Sequence, residues 1–331
     1  MTKIYKAAVI GCGGVGAEEW NFPKEIRPET HAASLNDHPR VDLAALVDMD
    51  EMKLKRAGKY FKGVPLFNSA GEMFKKIKPD IVSVASNSGS HAALVKMAAS
   101  HKTKAILCEK PIAESIKQAE EMIKICKKNE SLLFINHQRR FDPLFWQWRK
   151  NVKKGMLGKI IQANCYYYNG LFNSATHVVD LLRFFLGEAD WVSGLLNRQT
   201  SWKKGDDNME AMIKFKNGTM ATLQTLPKNY GVSDYFFYGE KGYFAIKNLG
   251  YEIEYKKLAK NKYCKGFFQL SDNIKKQGKP RSLMEQVANH IISCLDGREK
   301  PVSRGEDGLA ALKILFAIKK SAKNQGKIIK I

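Results

Sequence analysis

The sequence predicts two domains: an α/β domain built on a doubly wound parallel sheet, then an α+β domain on a mainly antiparallel sheet. Three observations carry this. The first 138 residues alternate apolar runs with helical patterns, and the run Ala7-Ala8-Val9-Ile10 empties into Gly11-Cys12-Gly13-Gly14-Val15-Gly16. Beyond Gln138, short alternating runs joined by hairpin signals take over. With 331 residues and 44% hydrophobic content, the chain is long enough to bury two cores.

In the first domain, Val41 to Asp48 reads as the strand after the glycine loop, with Ile81 to Ala85, Ala105 to Cys108 and Leu132 to Ile135 following. Asn68-Ser69 can cap a helix running through Ile77. Ser90 to Ser100 is apolar at Ala93, Leu94, Met97 and Ala98, and Ile112 to Lys128 repeats Ile116, Ala119, Ile123 and Cys126. Such alternation implies parallel strands with crossover helices, and the boundary falls near Gln138, dividing the chain into 1–138 and 139–331. Between Ala17 and Thr30, Pro23 and Pro28 stop the first helix from running straight through, so helical structure is expected to resume after Thr30. The excursion is either a surface loop or a segment that brings Trp20 or Arg27 to the border of a ligand cleft.

In the second domain, Asp142-Pro143 starts a helix that leads through Trp146 and Trp148 to Gly155. Strands are expected at Ile160 to Tyr168, Trp191 to Gln199, Glu210 to Lys216, Thr219 to Thr225, Tyr235 to Tyr238 and Gly242 to Ile246. Asn217-Gly218 is a strong hairpin signal and Gly239-Glu240-Lys241-Gly242 a second, so the sheet is antiparallel. Two late helices, Ser282 to Cys294 and Glu306 to Lys323, complete the domain, the last able to pack back on the first domain.

The spacing Gly11-x-Gly13-x-x-Gly16 serves a dinucleotide: a tight turn, backbone approach to pyrophosphate and close helix packing, with Gly14 and Val15 in the same cofactor-binding loop. Asp48 ends the next strand, where a carboxylate accepts hydrogen bonds from the adenosine ribose diol and repels a 2'-phosphate, which favours NAD over NADP. Lys110 closes the run Ala105-Ile106-Leu107-Cys108-Glu109-Lys110-Pro111. Ligands of open parallel sheets bind beyond the carboxyl ends of the strands, so this cation faces the cofactor side and suits a reacting oxygen beside a nicotinamide. Asn87 and His91 stand on the same edge; they touch the nicotinamide half or serve capping and packing.

With Gly11 to Gly16, Asp48, Glu109-Lys110-Pro111 and Arg140-Phe141-Asp142-Pro143 in this order, the chain resembles the Gfo/Idh/MocA oxidoreductase family. The closing stretch from Ser303-Arg304-Gly305-Glu306-Asp307-Gly308 through Ser321-Ala322 resembles that family's C-terminal helix. The resemblance implies a Rossmann domain with Glu109 and Lys110 at the cofactor, and an open-sheet domain often used for oligomerisation, as a dimer or tetramer. It also implies NAD-dependent oxidoreduction of a secondary alcohol or ketone on a sugar, an inositol-like polyol or a nucleotide sugar. The family carries an aspartate and, four residues later, a histidine on one helix; here Asn173 and His177 take those positions. The resemblance makes His177 the base and Lys110 the cation that stabilises alkoxide character, while Asn173 can orient a hydroxyl but carries no charge. Arg140, Tyr168 and Trp20 are candidate substrate contacts, each equally able to pack between elements.

The formal charge of +22 is spread in lysine pairs from Lys75-Lys76 to Lys319-Lys320 without one basic block, which argues for a solvated surface and against nucleic acid. No apolar stretch approaches the roughly 18 residues that span a bilayer, so a cytoplasmic protein is expected. Six scattered cysteines form neither a CxxC pair nor a metal-ligand cluster, so reduced thiols and no metal are expected. Two rival functions share the scaffold: a redox-neutral glycosidase using tightly held NAD, and a binding protein in which Asn173 marks weakened catalysis.

Overall fold

The computed structural model describes residues 3–331, which form two compact units. One runs to Asp142 and returns for Arg281–Ala310; the other holds Pro143–Pro280 and Ala311–Ile331.

The first unit contains six parallel strands, β1 (Tyr5–Ile10), β2 (Val41–Val47), β3 (Leu66–Phe67), β4 (Ile81–Val84), β5 (Ala105–Cys108) and β6 (Leu132–Ile135). They lie in the order β3-β2-β1-β4-β5-β6, so the strand order reverses beside β1. Every residue of β4 and β5 is buried, as helices on both faces require. The helices are α1 (Gly14–Ala17), α2 (His31–Asn36), α3 (Glu51–Tyr60), α4 (Ala70–Lys76), α5 (Ser88–Ser100) and α6 (Ile116–Lys128). Side chains fix several starts: Ser69 accepts the Glu72 amide and Ser115 the Gln118 amide, each cap contributing about 1 kcal/mol. The Ser115 cap is why α6 begins at Ile116 rather than at Ile112. Asp50 caps α3, an element that no apolar repeat announces, because only Leu54 and Ala57 in it are buried.

The excursion is a packed loop. Glu19, 1% exposed, accepts the backbone amides of Glu29 and Thr30, and Thr30 Oγ1 accepts the Ala33 amide to start α2. Helical structure therefore resumes after Thr30, as its prolines require.

The second unit is a ten-stranded sheet: β7 (Ile160–Tyr167), β8 (Ala189–Leu196), β9 (Met209–Phe215), β10 (Met220–Thr225), β11 (Asp234–Gly239), β12 (Gly242–Lys247), β13 (Glu252–Lys260), β14 (Phe268–Leu270), β15 (Lys275–Gln277) and β16 (Ile329–Lys330). The order is β14-β13-β12-β11-β7-β10-β9-β8-β16, with β15 on β13; β7 and β10 are parallel and the other pairs antiparallel. Both expected hairpins form, β9 to β10 around Asn217-Gly218 and β11 to β12 around Glu240-Lys241. Alternation sets the faces: in β9 Met209, Ala211, Ile213 and Phe215 are buried while Met212 is 45% exposed. One face is covered by a core that includes residues of α7 (Pro143–Lys153), α8 (Ala175–Leu186) and α10 (Gly305–Lys323).

The late helix α9 (Leu283–Leu295) departs from the single cut at residue 138. Its Met284, Val287, Ala288, Ile291 and Ile292 join the core of the first unit, alongside Ala33 and Leu35 of α2. An amphipathic helix goes where its stripe is buried, and α2, shortened by the excursion, leaves a place on that face.

Candidate active site

The glycine loop leaves β1 through conformations only glycine accepts. Gly11 has φ +102°, and a Cβ there would lie 2.7 Å from the Ala85 and Ser86 backbone. A Cβ at Gly16 would lie 2.0 Å from the Gly11 carbonyl oxygen, so these two glycines are the turn and the helix contact. Gly14, φ +39°, has open space where its Cβ would be, Gly13 precedes α1, and Val15 is 43% exposed. This is a cradle with an open side, and it fits a pyrophosphate approaching the backbone.

Asp48 follows β2 and is tied to that loop: its Oδ2 accepts the Cys12 amide at 2.7 Å and its Oδ1 the Asp50 amide at 2.9 Å. Each oxygen retains acceptor capacity for a diol. A Cβ at Gly13 would meet Lys53 Cδ at 3.4 Å, so this lysine of α3 lies along the loop. Its side chain brings a cation to the cradle, a contribution no spacing in the sequence announced.

At the end of β5, Glu109 is 8% exposed and both oxygens of its carboxylate have partners. Oε2 accepts the Lys110 backbone amide at 3.1 Å; Oε1 accepts Asn136 Nδ2 at 2.6 Å and faces His31 Nε2 at 2.9 Å. Burial alone would raise its pKa, but the His31 hydrogen bond and the charges nearby outweigh it and hold the group down at about 2. Next to Lys110, Pro111 lends its carbonyl to His91 Nδ1 at 3.0 Å, and His91 Nε2 lies 3.1 Å from the Ser86 carbonyl. His91 is 1% exposed, and each ring nitrogen faces a backbone carbonyl, to one of which the neutral imidazole donates its N–H. It ties the loop carrying Asn87 to the Lys110-Pro111 turn. Asn87 occupies the N-cap position of α5 without a side-chain capping bond.

In the second unit, Asn173 does not share a helix with His177, as the four-residue spacing suggested. The helix α8 starts at Ala175, and Asn173 stands in the turn before its N-cap, Ser174. Asp206 sets this turn: its carboxylate accepts the amides of Phe172 at 2.8 Å and Asn173 at 3.0 Å, and Asn208 Oδ1 accepts that of Gly170 at 2.7 Å. Asn173 Nδ2 donates to the Asn169 carbonyl. His177 is half-buried in the first turn of α8, and half-buried Tyr168 directly follows β7.

Other candidates are engaged within the first unit. Arg140, 8% exposed, lies 3.2 Å from Asp307. Arg27 donates to the carbonyls of Phe22 and Trp20, bracing the excursion from inside. Trp20 rests on Tyr60, ring centroids 5.6 Å apart. All six cysteines are free thiols, and no group of three metal-ligating side chains occurs among the described residues. No helix among them is long and apolar enough to cross a membrane.

A family model described as an oxidoreductase family with an NAD-binding Rossmann fold matches residues 5–137, and one described as the GFO/IDH/MocA C-terminal domain matches 145–245. A myo-inositol 2-dehydrogenase of Thermotoga maritima is 25% identical, covering 96% of both chains. A D-apiose dehydrogenase of Rhizobium rhizogenes is 26% identical over 67% of this chain, which spans 66% of that relative's length. Among solved structures, the WlbA dehydrogenase of Bordetella pertussis, in complex with NADH and UDP-GlcNAcA, superposes with a TM-score of 0.79 at 20% identity over 99% of each chain. An inositol dehydrogenase homologue of Azotobacter vinelandii, complexed with NADH and myo-inositol, gives 0.78 at 14% identity, over 100% of this chain and 98% of that one.

Proposed function

Because the chain belongs to the Gfo/Idh/MocA family of NAD-binding oxidoreductases, we propose that it is an NAD-dependent dehydrogenase oxidising a secondary alcohol of a polyol, sugar or nucleotide sugar. The observation that carries this reading is the company at the carboxyl edge of one parallel sheet: the open glycine cradle after β1, Asp48 after β2 and Lys110 after β5. When bound, NAD supplies the hydride acceptor. Gly11 to Gly16 and Lys53 would hold its pyrophosphate and Asp48 its adenosine ribose, with Asn87 available to the nicotinamide half.

The protein's own part is proton and charge. Lys110, its backbone pinned by Glu109, offers an ammonium to the substrate hydroxyl oxygen and stabilises it as it becomes an alkoxide. His177 accepts the hydroxyl proton on a ring nitrogen, and it returns that proton in the reverse reaction. Asn173 orients the substrate by hydrogen bonding, with Tyr168 beside the same turn. The charge at Asp48 supports NAD over NADP, because it would repel a 2'-phosphate.

Lys110→Met and His177→Asn test these roles: turnover is expected to fall at least about 100-fold in each, with NADH affinity within twofold of wild type. Turnover at the wild-type level in Lys110→Met contradicts the reading.

A further inference from the structure

We propose that His31 is a positioning residue for Lys110, holding in place the carboxylate that pins the lysine's backbone. The assignment rests on the dehydrogenase reading above. His31 opens α2 and has no exposed surface. Its ring lies between two groups on neighbouring strands, Nδ1 2.5 Å from Ser83 Oγ of β4 and Nε2 2.9 Å from Glu109 Oε1 just after β5. Asn136, just after β6, adds its amide to the same oxygen. Three adjacent strands thus each give one polar group at the carboxyl edge of the sheet, and α2 inserts an imidazole among them.

The tautomer that satisfies this arrangement has Ser83 donating its hydroxyl to Nδ1 and Nε2–H donating to Glu109. Glu109 then has three donors: His31 and Asn136 on Oε1 and the Lys110 amide on Oε2. A buried ionic cluster is a poor device for stability, since apolar side chains of the same volume do as well. What it supplies here is orientation: an anion fixed from three sides, one of them the peptide that carries Lys110. Without the imidazole the carboxylate keeps two donors and can rotate, and the lysine backbone moves with it. Misplacement of a reacting group by about 1 Å costs roughly 100-fold in rate.

The test compares His31→Leu, His31→Gln and Ser83→Ala with wild type and Lys110→Met, using NAD, a polyol that the wild type oxidises, and NADH binding by fluorescence. His31→Leu is expected to lower kcat about 10- to 100-fold, with substrate KM and NADH affinity within about twofold. His31→Gln, whose amide can still donate to Glu109, is expected to recover most of that loss. Ser83→Ala is expected to lower kcat several-fold at unchanged NADH affinity, and it keeps the proposal open to refutation should His31→Leu not fold. Wild-type kcat in His31→Leu or in Ser83→Ala overturns the assignment. So does a kcat loss that tracks a loss of NADH affinity and is not recovered by glutamine. If the wild type oxidises nothing, or Lys110→Met remains active, the dehydrogenase reading has failed and takes this assignment with it. If those controls hold while His31→Leu keeps its kcat, only the role of His31 has failed.

Discussion

Asp48 is held by the scaffold on one side and offered to the proposed cofactor on the other. Its carboxylate accepts the Cys12 and Asp50 amides, so its position is set by the loop it serves rather than by the ligand. Removing it costs hydrogen bonds to an anion, each contributing about 1.5–3 kcal/mol, and also removes the repulsion of a 2'-phosphate. Asp48→Ser is therefore expected to weaken NAD use about tenfold or more and to raise the NADP-to-NAD ratio of kcat/KM by at least as much; an unchanged ratio contradicts the assignment. Asp48 and Lys110 are legible in the sequence because each follows a continuous apolar run, which marks a strand end. His31 was not, and neither was Asp206. Both act through the fold, across intervals of 78 residues from His31 to Glu109 and 33 from Asp206 to Asn173, and no local pattern records such distances.

Elements follow the same division. The six parallel strands except the two-residue β3, and both signalled hairpins, follow from apolar runs and turn residues. The strands β13 and β15 escape that reading because their lysines and glutamates pair across the sheet, as where Lys276 lies 3.1 Å from Glu252 and 3.3 Å from Glu254. Charged residues there face one another and interrupt the apolar alternation that marks a half-buried strand. The turn before α8 gives two of its amides to Asp206, so Asp206→Ala is expected to lower kcat about tenfold while leaving NADH affinity unchanged. Equal kcat in the variant contradicts that role for the turn.

The excursion and α9 form a second such joint. Glu29 Oε2 accepts the Leu283 amide at the start of α9, and burial, aided by the neighbouring Glu19 charge, raises the Glu29 pKa from 4.5 to about 8. The sign follows from linkage. Below about 4.5 the folded and unfolded chains both carry this proton. Above that value the unfolded chain releases it while the folded chain retains it up to about 8, so stability declines across this window. The slope reaches at most about 1.4 kcal/mol per pH unit. Glu29→Gln is expected to flatten the decline in melting temperature between pH 5 and 8, and an identical slope in the variant contradicts it.

At the scale of the whole molecule, the second unit turns apolar side chains outward: Tyr166 meets Phe236 edge to face and Phe236 stacks on Tyr243, while on the strands β9 and β8 Met212 is 45% exposed and Leu195 57%. Exposed apolar side chains of this kind are surface that a further contact would remove from water. The formal charge of +22 makes the long-range field of the chain one that favours anionic ligands over cationic ones.

Net oxidation of an alcohol by NAD is read from NADH absorbance with the wild-type protein, NAD, and a panel of inositols, free sugars and nucleotide sugars. NADH is expected to accumulate in proportion to the oxidised product for at least one member, and not to accumulate with Lys110→Met. Hydrolysis of a glycoside without NADH release, or NAD binding with no turnover across the panel, rules out the dehydrogenase reading.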